Sequence, residues 1–167
     1  MPFKNIIHTI KTNLTKKIRV PKRYLPSQLT RKDRMRQISA LKRSRRLYRR
    51  GVYYKRPKMA SFRNRPSPHV ARAMKMYKVK SLVPSPALAR ASGCQIEGLR
   101  KIVRKGEGAY YSSGSRPNQT PQSWGYARLG SALTGQNAAV VDYPILKKHC
   151  RSGSRALRAA THRIRRR

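Results

Sequence analysis

The charges of this chain are sorted along its length. Between Glu107 and Leu146 there are two basic residues, Arg116 and Arg128, and two acids, Glu107 and Asp142. All but those two of the 42 Lys and Arg, and the whole net charge of +38, lie outside this stretch, opposed there only by Asp33 and Glu97. Burying an unpaired charge is costly, so a folded centre has to be sought where Lys and Arg are scarce. The neutral stretch and its edge also carry Trp124, Tyr110, Tyr111, Tyr126 and Tyr143, half of the chain's Trp and Tyr. It is the expected core.

A chain so cationic repels itself when compact and gains from an anionic partner. Duplex DNA carries one charge per ~1.7 Å, so this excess matches roughly 65 Å of duplex. DNA, RNA, an anionic membrane surface and acidic protein faces all satisfy that demand, and charge alone does not separate them. The 167 residues suit one small domain with extensions.

The fold class expected is mainly α, a small helical core over about residues 67–150 with an extended basic N-terminal helix and arm and a basic C-terminal tail. Phe3, Ile6, Ile7, Ile10 and Leu14 form an amphipathic helical stripe within residues 1–17. That stripe suits a membrane surface, a partner or the chain's own domain, and it also resembles a mitochondrial presequence. No apolar run reaches membrane-spanning length. Residues 18–66 read as a basic helix and an extended basic-aromatic arm. Thr30 and Asp33 give a capping signature, and Gly51 a stop, for a helix over Arg31–Arg50 with Met35, Ile38, Leu41, Leu47 and Tyr48 as its apolar stripe. Ser67-Pro68, Ser85-Pro86 and Thr120-Pro121 each read as an N-cap followed by proline at the first helical position. A helix from Cys94 is expected to stop at Gly106, with GEGAYYSSGSRPNQT as a loop behind it. Asp142 is expected to cap a last short helix. The tail, residues 151–167, is expected to be largely disordered when free.

Candidate contact residues follow from the charge. The basic helix offers Arg31, Lys32, Arg34, Arg36, Lys42, Arg43, Arg45, Arg46, Arg49 and Arg50. Behind it, Tyr53, Tyr54, Lys55 and Arg56 interleave rings with cations, a pattern that suits unpaired bases on a phosphate chain and equally an arm anchored on proteins. The tail adds Arg163, Arg165, Arg166 and Arg167. In the neutral stretch, Gly106, Gly108 and Gly114 permit tight turns, while Ser112, Ser113, Asn118 and Gln119 can satisfy loop backbone. Tyr110 and Trp124 supply apolar bulk. SSGSR with Arg116 reads either as a backbone nest for an anion or as a loop held by its own arginine. His69 reads as a solvated residue.

The chain is not expected to be an enzyme. Its only carboxylates are Asp33, Glu97, Glu107 and Asp142. Two of them read as helix caps and Glu97 sits within a helix, which leaves no acid/base pair. No nucleophile elbow precedes a serine. No metal-ligand spacing surrounds Cys94 and Cys150, so no cofactor is expected and no small-molecule substrate. The two cysteines read as buried free thiols, with a disulfide open if the ends of the neutral stretch meet.

The segments RYLPSQLTRKDRMRQISALKRSRRLYRRGVYYKRPKMASF, SPHVARAMKMYKV and GCQIEGLRKIVRKGEGAYYSSGSRPNQTPQSWGYARLGSALTG resemble small basic proteins of large nucleocytoplasmic DNA viruses of algae and amoebae. The likeness covers roughly residues 22–150, and GAYYSSGSRPNQT and SWGYARL are its specific parts. It implies no catalytic chemistry. It implies a component of the virion, assembled in the host cytoplasm: a minor capsid protein on the inner side of an icosahedral shell. Its partners would be the major capsid protein and other minor capsid proteins, with viral DNA or an internal membrane surface as further anionic neighbours. A sequence-independent, genome-condensing DNA-binding protein is the alternative, and a ribosomal protein a third.

Overall fold

The computed structural model describes residues 19–166, so the N-terminal stripe and Arg167 lie outside the described residues. The chain is mainly helical, as expected. A 3-10 turn at Lys22–Tyr24 leads into α1 (Arg31–Tyr48). An irregular segment follows, and then α2 (Pro68–Tyr77), α3 (Pro86–Ser92) and α4 (Ile96–Ser112). The remaining helices are α5 (Pro121–Leu133), α6 (Asn137–Val141), α7 (Tyr143–His149) and α8 (Arg155–Arg165). Among the described residues there is no strand, only an isolated antiparallel bridge between Cys94 and Cys150.

The start signals work through their side chains at most sites. Thr30 accepts from Asp33 N, Ser85 from Leu88 N, and Ser154 from Leu157 N. Thr120 and Ser123 form a reciprocal capping box ahead of α5, which satisfies two amides that a helix start leaves unpaired. Helix α1 stops close to where Gly51 predicts. Val52 N donates to Leu47 O and Gly51 N to Tyr48 O, both at 3.0 Å, with Gly51 at φ 74°. This is a Schellman closure, and the left-handed glycine permits it.

Helices α4 and α5 form the centre. Leu99, Ile102 and Val103 of α4 pack with Leu129, Ala132 and Leu133 of α5, and Ala73, Tyr77, Leu88 and Leu146 close over them. Tyr77 Oη donates to Leu133 O at 2.7 Å, and burial pushes its pKa up to about 12. Four expectations need correction here. Gly106 does not end its helix: α4 runs on to Ser112, so GEGAYYS is helical. A Cβ on Gly106 would stand 2.7 Å from Gly125 Cα, so the glycine serves the close crossing of α4 and α5 and not a turn. Its helix-propensity cost of about 1 kcal/mol is offset by that packing.

The tail is also ordered. Ala156 and Ala160, one turn apart, are fully buried in the central cluster and seat α8 on the core. The arginine count hides this seam, because the arginines occupy the other faces. Third, α1 turns a different face inward. Met35 is 61% exposed, while Gln37, Ala40, Leu41 and Ser44 are buried. What α1 meets is a row of carbonyl groups, so amide and hydroxyl side chains suit it better than methionine.

Fourth, the cysteines are not free. Cys94 and Cys150 form a disulfide. Arg151 N donates to Gly93 O at 2.9 Å and Gln95 N to His149 O at 2.8 Å, and these paired backbones bring the two thiols together. The staple ties the lead into α4 to the end of α7.

Candidate functional site

The C-terminal end of α4 explains how a neutral stretch organises a basic chain. A helix leaves its last carbonyls without intrahelical partners and carries partial negative charge there. Tyr110 O accepts from Arg56 Nη1 at 2.7 Å. Tyr111 O accepts from Ser44 Oγ at 3.1 Å. Ser113 O accepts from Arg45 Nη2 at 2.7 Å and from Nε at 3.1 Å. Past the helix, Ser115 O accepts from Gln37 Nε2 at 3.2 Å and Ser115 Oγ from Arg56 Nη2 at 2.6 Å. The Arg56 guanidinium also lies over the Tyr110 ring, 3.7 Å from its centroid, and burial pushes its pKa below the ordinary value.

Of the two readings of SSGSR, a backbone nest or a loop held by its own arginine, neither describes its contacts: the segment presents carbonyl oxygens to Arg45 and Gln37. Gly114 is buried at φ 109° against Leu41 and Tyr24, and Ser112 and Ser113 are exposed at the helix end. The Arg116 side chain is exposed and makes no hydrogen bond among the described residues, so it does not hold its own loop either. Gly108 lies in α4 beside Tyr48. Trp124 is half-buried, edge-on to Tyr24 at 6.0 Å.

Residues 52–66 are irregular, as expected of an arm, but they are strapped to their own chain. Met59 is buried. Asn118 Oδ1 accepts from Met59 N at 2.7 Å, while its Nδ2 donates to Met59 O at 3.0 Å and Phe62 O at 2.6 Å. Asp33 Oδ2 accepts from Ser61 N at 2.8 Å and Ser61 Oγ at 2.7 Å. Those two bonds, the backbone one foremost, hold the Asp33 carboxyl below its ordinary pKa.

Two of the four acids, Asp33 and Asp142, are buried. Asp142 makes no side-chain cap. Its carboxylate is fully buried against Arg128, at 2.7 and 2.8 Å, and Lys105, at 2.9 Å. Glu97 sits in the first turn of α4 and not mid-helix. It pairs with Lys101 at 2.8 Å, whose hydrogen bond lowers its pKa. Glu107 is half-buried on α4. The buried Arg128–Asp142 pair was not anticipated, although a lone arginine and a lone acid close together in a neutral stretch are a legible signal.

The candidate contact residues therefore divide. Six are engaged within the chain. Arg34 donates to Leu25 O and Pro26 O. Arg36 lies 3.6 Å from Asp33. Arg43 covers the Tyr54 ring at 4.6 Å. Arg45 and Arg56 hold the end of α4, and Arg163 donates to Asn137. Arg31, Lys32, Lys42, Arg46, Arg49, Arg50 and Lys55 are exposed around α1 and its end, as are Arg165 and Arg166 at the end of α8. Tyr53 is 68% exposed. It stands edge-on to Tyr111 at 5.0 Å and Tyr48 at 5.9 Å.

His69 is half-buried and not fully solvated. Its Nδ1 has no partner among the described residues, and burial lowers its pKa. Among the described residues, no group of three or more His, Cys, Asp or Glu gathers to hold a metal ion. No described helix is long and apolar enough to cross a membrane.

No curated protein and no solved structure matches the chain. Residues 21–143 match a family of unknown function (DUF5824), a span that runs from the first turn through the strap and into α7. That span is well over half of the sequence, and the chain belongs to that family.

Proposed function

We propose that this is a structural, non-catalytic protein of a virus particle, a minor capsid protein that braces the inner side of an icosahedral shell by binding acidic faces of its neighbours. The viral setting rests on the sequence resemblance. The observation that carries the binding mode is the imbalance of exposed charge. Asp33 and Asp142 are buried against Ser61 and Arg128, and Glu97 is exposed but paired with Lys101, so little negative charge remains to offset the exposed cations of α1 and α8. The molecule's own packing leaves its positive field to an outside partner. The strapped arm and the stapled core supply a fixed shape, as a lattice position requires.

The test is fractionation of opened particles after nuclease treatment and a moderate-salt wash. A constant ratio of this protein to the major capsid protein in emptied shells is expected. Its loss with the digested genome overturns the reading and favours the alternative, a genome-condensing protein. The exposed cations along α1 are the feature that favours that second reading.

A further inference from the structure

We propose that the end of α1 carries a stacking site for unpaired bases on a phosphate chain, with Tyr53 as the platform. This goes beyond the structural role and is independent of it. Exposed tyrosines alone are common, and the case here rests on three things found together. First, the display is rigid. The Schellman closure at Gly51 fixes the backbone up to Val52, and the next ring is braced edge-on by Tyr48 and Tyr111. Those two rings are themselves parallel, 6.2 Å apart with 5° between their planes. Little side-chain entropy is left to lose when a ligand binds.

Second, the surface is not used by the described fold. Tyr53 is 68% and Val52 48% exposed, in a chain that buries Tyr24, Tyr77 and Tyr110 almost completely. Third, the charge is complementary to a phosphate chain. Arg49, Arg50 and Lys55 lie within four residues of Tyr53 and are exposed, while the arginines that serve the fold, Arg45 and Arg56, point to the end of α4. An open ring flanked by free cations is what a single strand needs: rings take the bases and cations the phosphates. A duplex hides its base faces and offers the ring nothing. DNA and RNA share this chemistry, and the test distinguishes them.

The experiment uses the full chain and labelled oligonucleotides of about 12 nucleotides, a length within the usual site sizes. The probes are oligo-dT, oligo-rU, an abasic strand of equal length and a duplex, read by fluorescence anisotropy at one salt concentration. The wild type is expected to bind dT or rU more tightly than the abasic strand. Tyr53→Ala is expected to weaken that binding about five-fold or more without changing abasic or duplex binding, and Tyr53→Phe to restore it. A preference between dT and rU names the source, and equal binding of both supports stacking on either. Photocrosslinking of wild-type protein to a 5-bromouracil strand, with the adduct on Tyr53, gives a second readout free of any effect of substitution on folding. Equal affinity for base-bearing and abasic strands, or an equal loss on both in Tyr53→Ala, overturns the proposal and assigns the patch to charge contact alone, as with an acidic protein face.

Discussion

Arg56 and Tyr110 meet twice: the guanidinium lies 3.7 Å from the Tyr110 ring centroid and donates to the same residue's carbonyl oxygen at 2.7 Å. Its second nitrogen reaches Ser115 Oγ at 2.6 Å. One planar cation thus joins the strap to the end of α4 through a ring face, a carbonyl and a hydroxyl. Arg56→Ala is expected to cost about 2–3 kcal/mol in urea unfolding. Arg56→Lys is expected to recover less than half of that, because an ammonium lacks the fork.

The Asp33–Ser61 contact gives the strap a pH dependence. The carboxyl's folded pKa lies below its ordinary value of 3.8, so the folded state favours the ionised form. The clamp's contribution is complete above that ordinary value and is lost as pH falls through the lower folded value. Proteolysis within residues 52–66, followed from pH 6 downward with an acid-tolerant protease, is expected to rise steeply below about pH 4. In Ser61→Ala, cleavage is expected to be raised already at pH 6.

Removing the Asp142 carboxylate leaves Arg128 and Lys105 facing a buried gap. Asp142→Ala is expected to destabilise the chain by about 3–5 kcal/mol. Replacing both members, Arg128→Met with Asp142→Leu, is expected to recover most of that loss, since a packed apolar pair has no charge to desolvate. Thermal unfolding of the two variants beside the wild type checks both expectations.

The disulfide closes a sequence separation of 56 residues. In the loop-closure picture that contributes about 4 kcal/mol. Cys94→Ser with Cys150→Ser, or reduction, is expected to lower the melting temperature. Mass spectrometry of the unfolded chain is expected to find no alkylated cysteine unless reductant is added.

Two glycines two residues apart on α4 are expected to respond in opposite directions. At Gly106 an added Cβ meets Gly125 Cα at 2.7 Å, whereas at Gly108 it finds only Tyr48 Oη at 3.5 Å. Gly106→Ala is expected to destabilise by about 1–3 kcal/mol, and Gly108→Ala to stabilise by up to about 1 kcal/mol through helix propensity. Chemical denaturation of the two variants decides it.

These sites also mark what the sequence makes legible. Helix starts are readable because Thr30, Ser85 and Thr120 act locally, within one turn of themselves. Half of the core centre is traceable because Leu129 and Leu133 sit one turn apart in a stretch poor in charge, whereas Leu99 and Ile102 lie before it, among Arg100, Lys101, Arg104 and Lys105, and show only through their helical spacing. Gly106 misled because a glycine that ends a helix and one that lets two helices touch look alike until the partner, Gly125, is placed. The inward face of α1 was unreadable for a related reason. Gln37 and Ser44 are buried by carbonyl groups 67 and more residues away, and no local period reports an acceptor. Of the candidate contact residues, Arg45 and Arg56 look like their neighbours in sequence, and only the distant end of α4 sets them apart.

The end of α4 also sets an order of events at the ribosome. Arg45 and Arg56 wait for Ser113 and Ser115, which lie 68 and 59 residues further along the chain. At ~5–20 residues per second of synthesis, that lag lasts roughly 3 to 14 s. Throughout it, the basic first part of the chain has emerged without the α4 carbonyls that Arg45 and Arg56 hold. The nascent chain is therefore a tethered polycation before the contacts that seat α1 and the strap on the end of α4 can form.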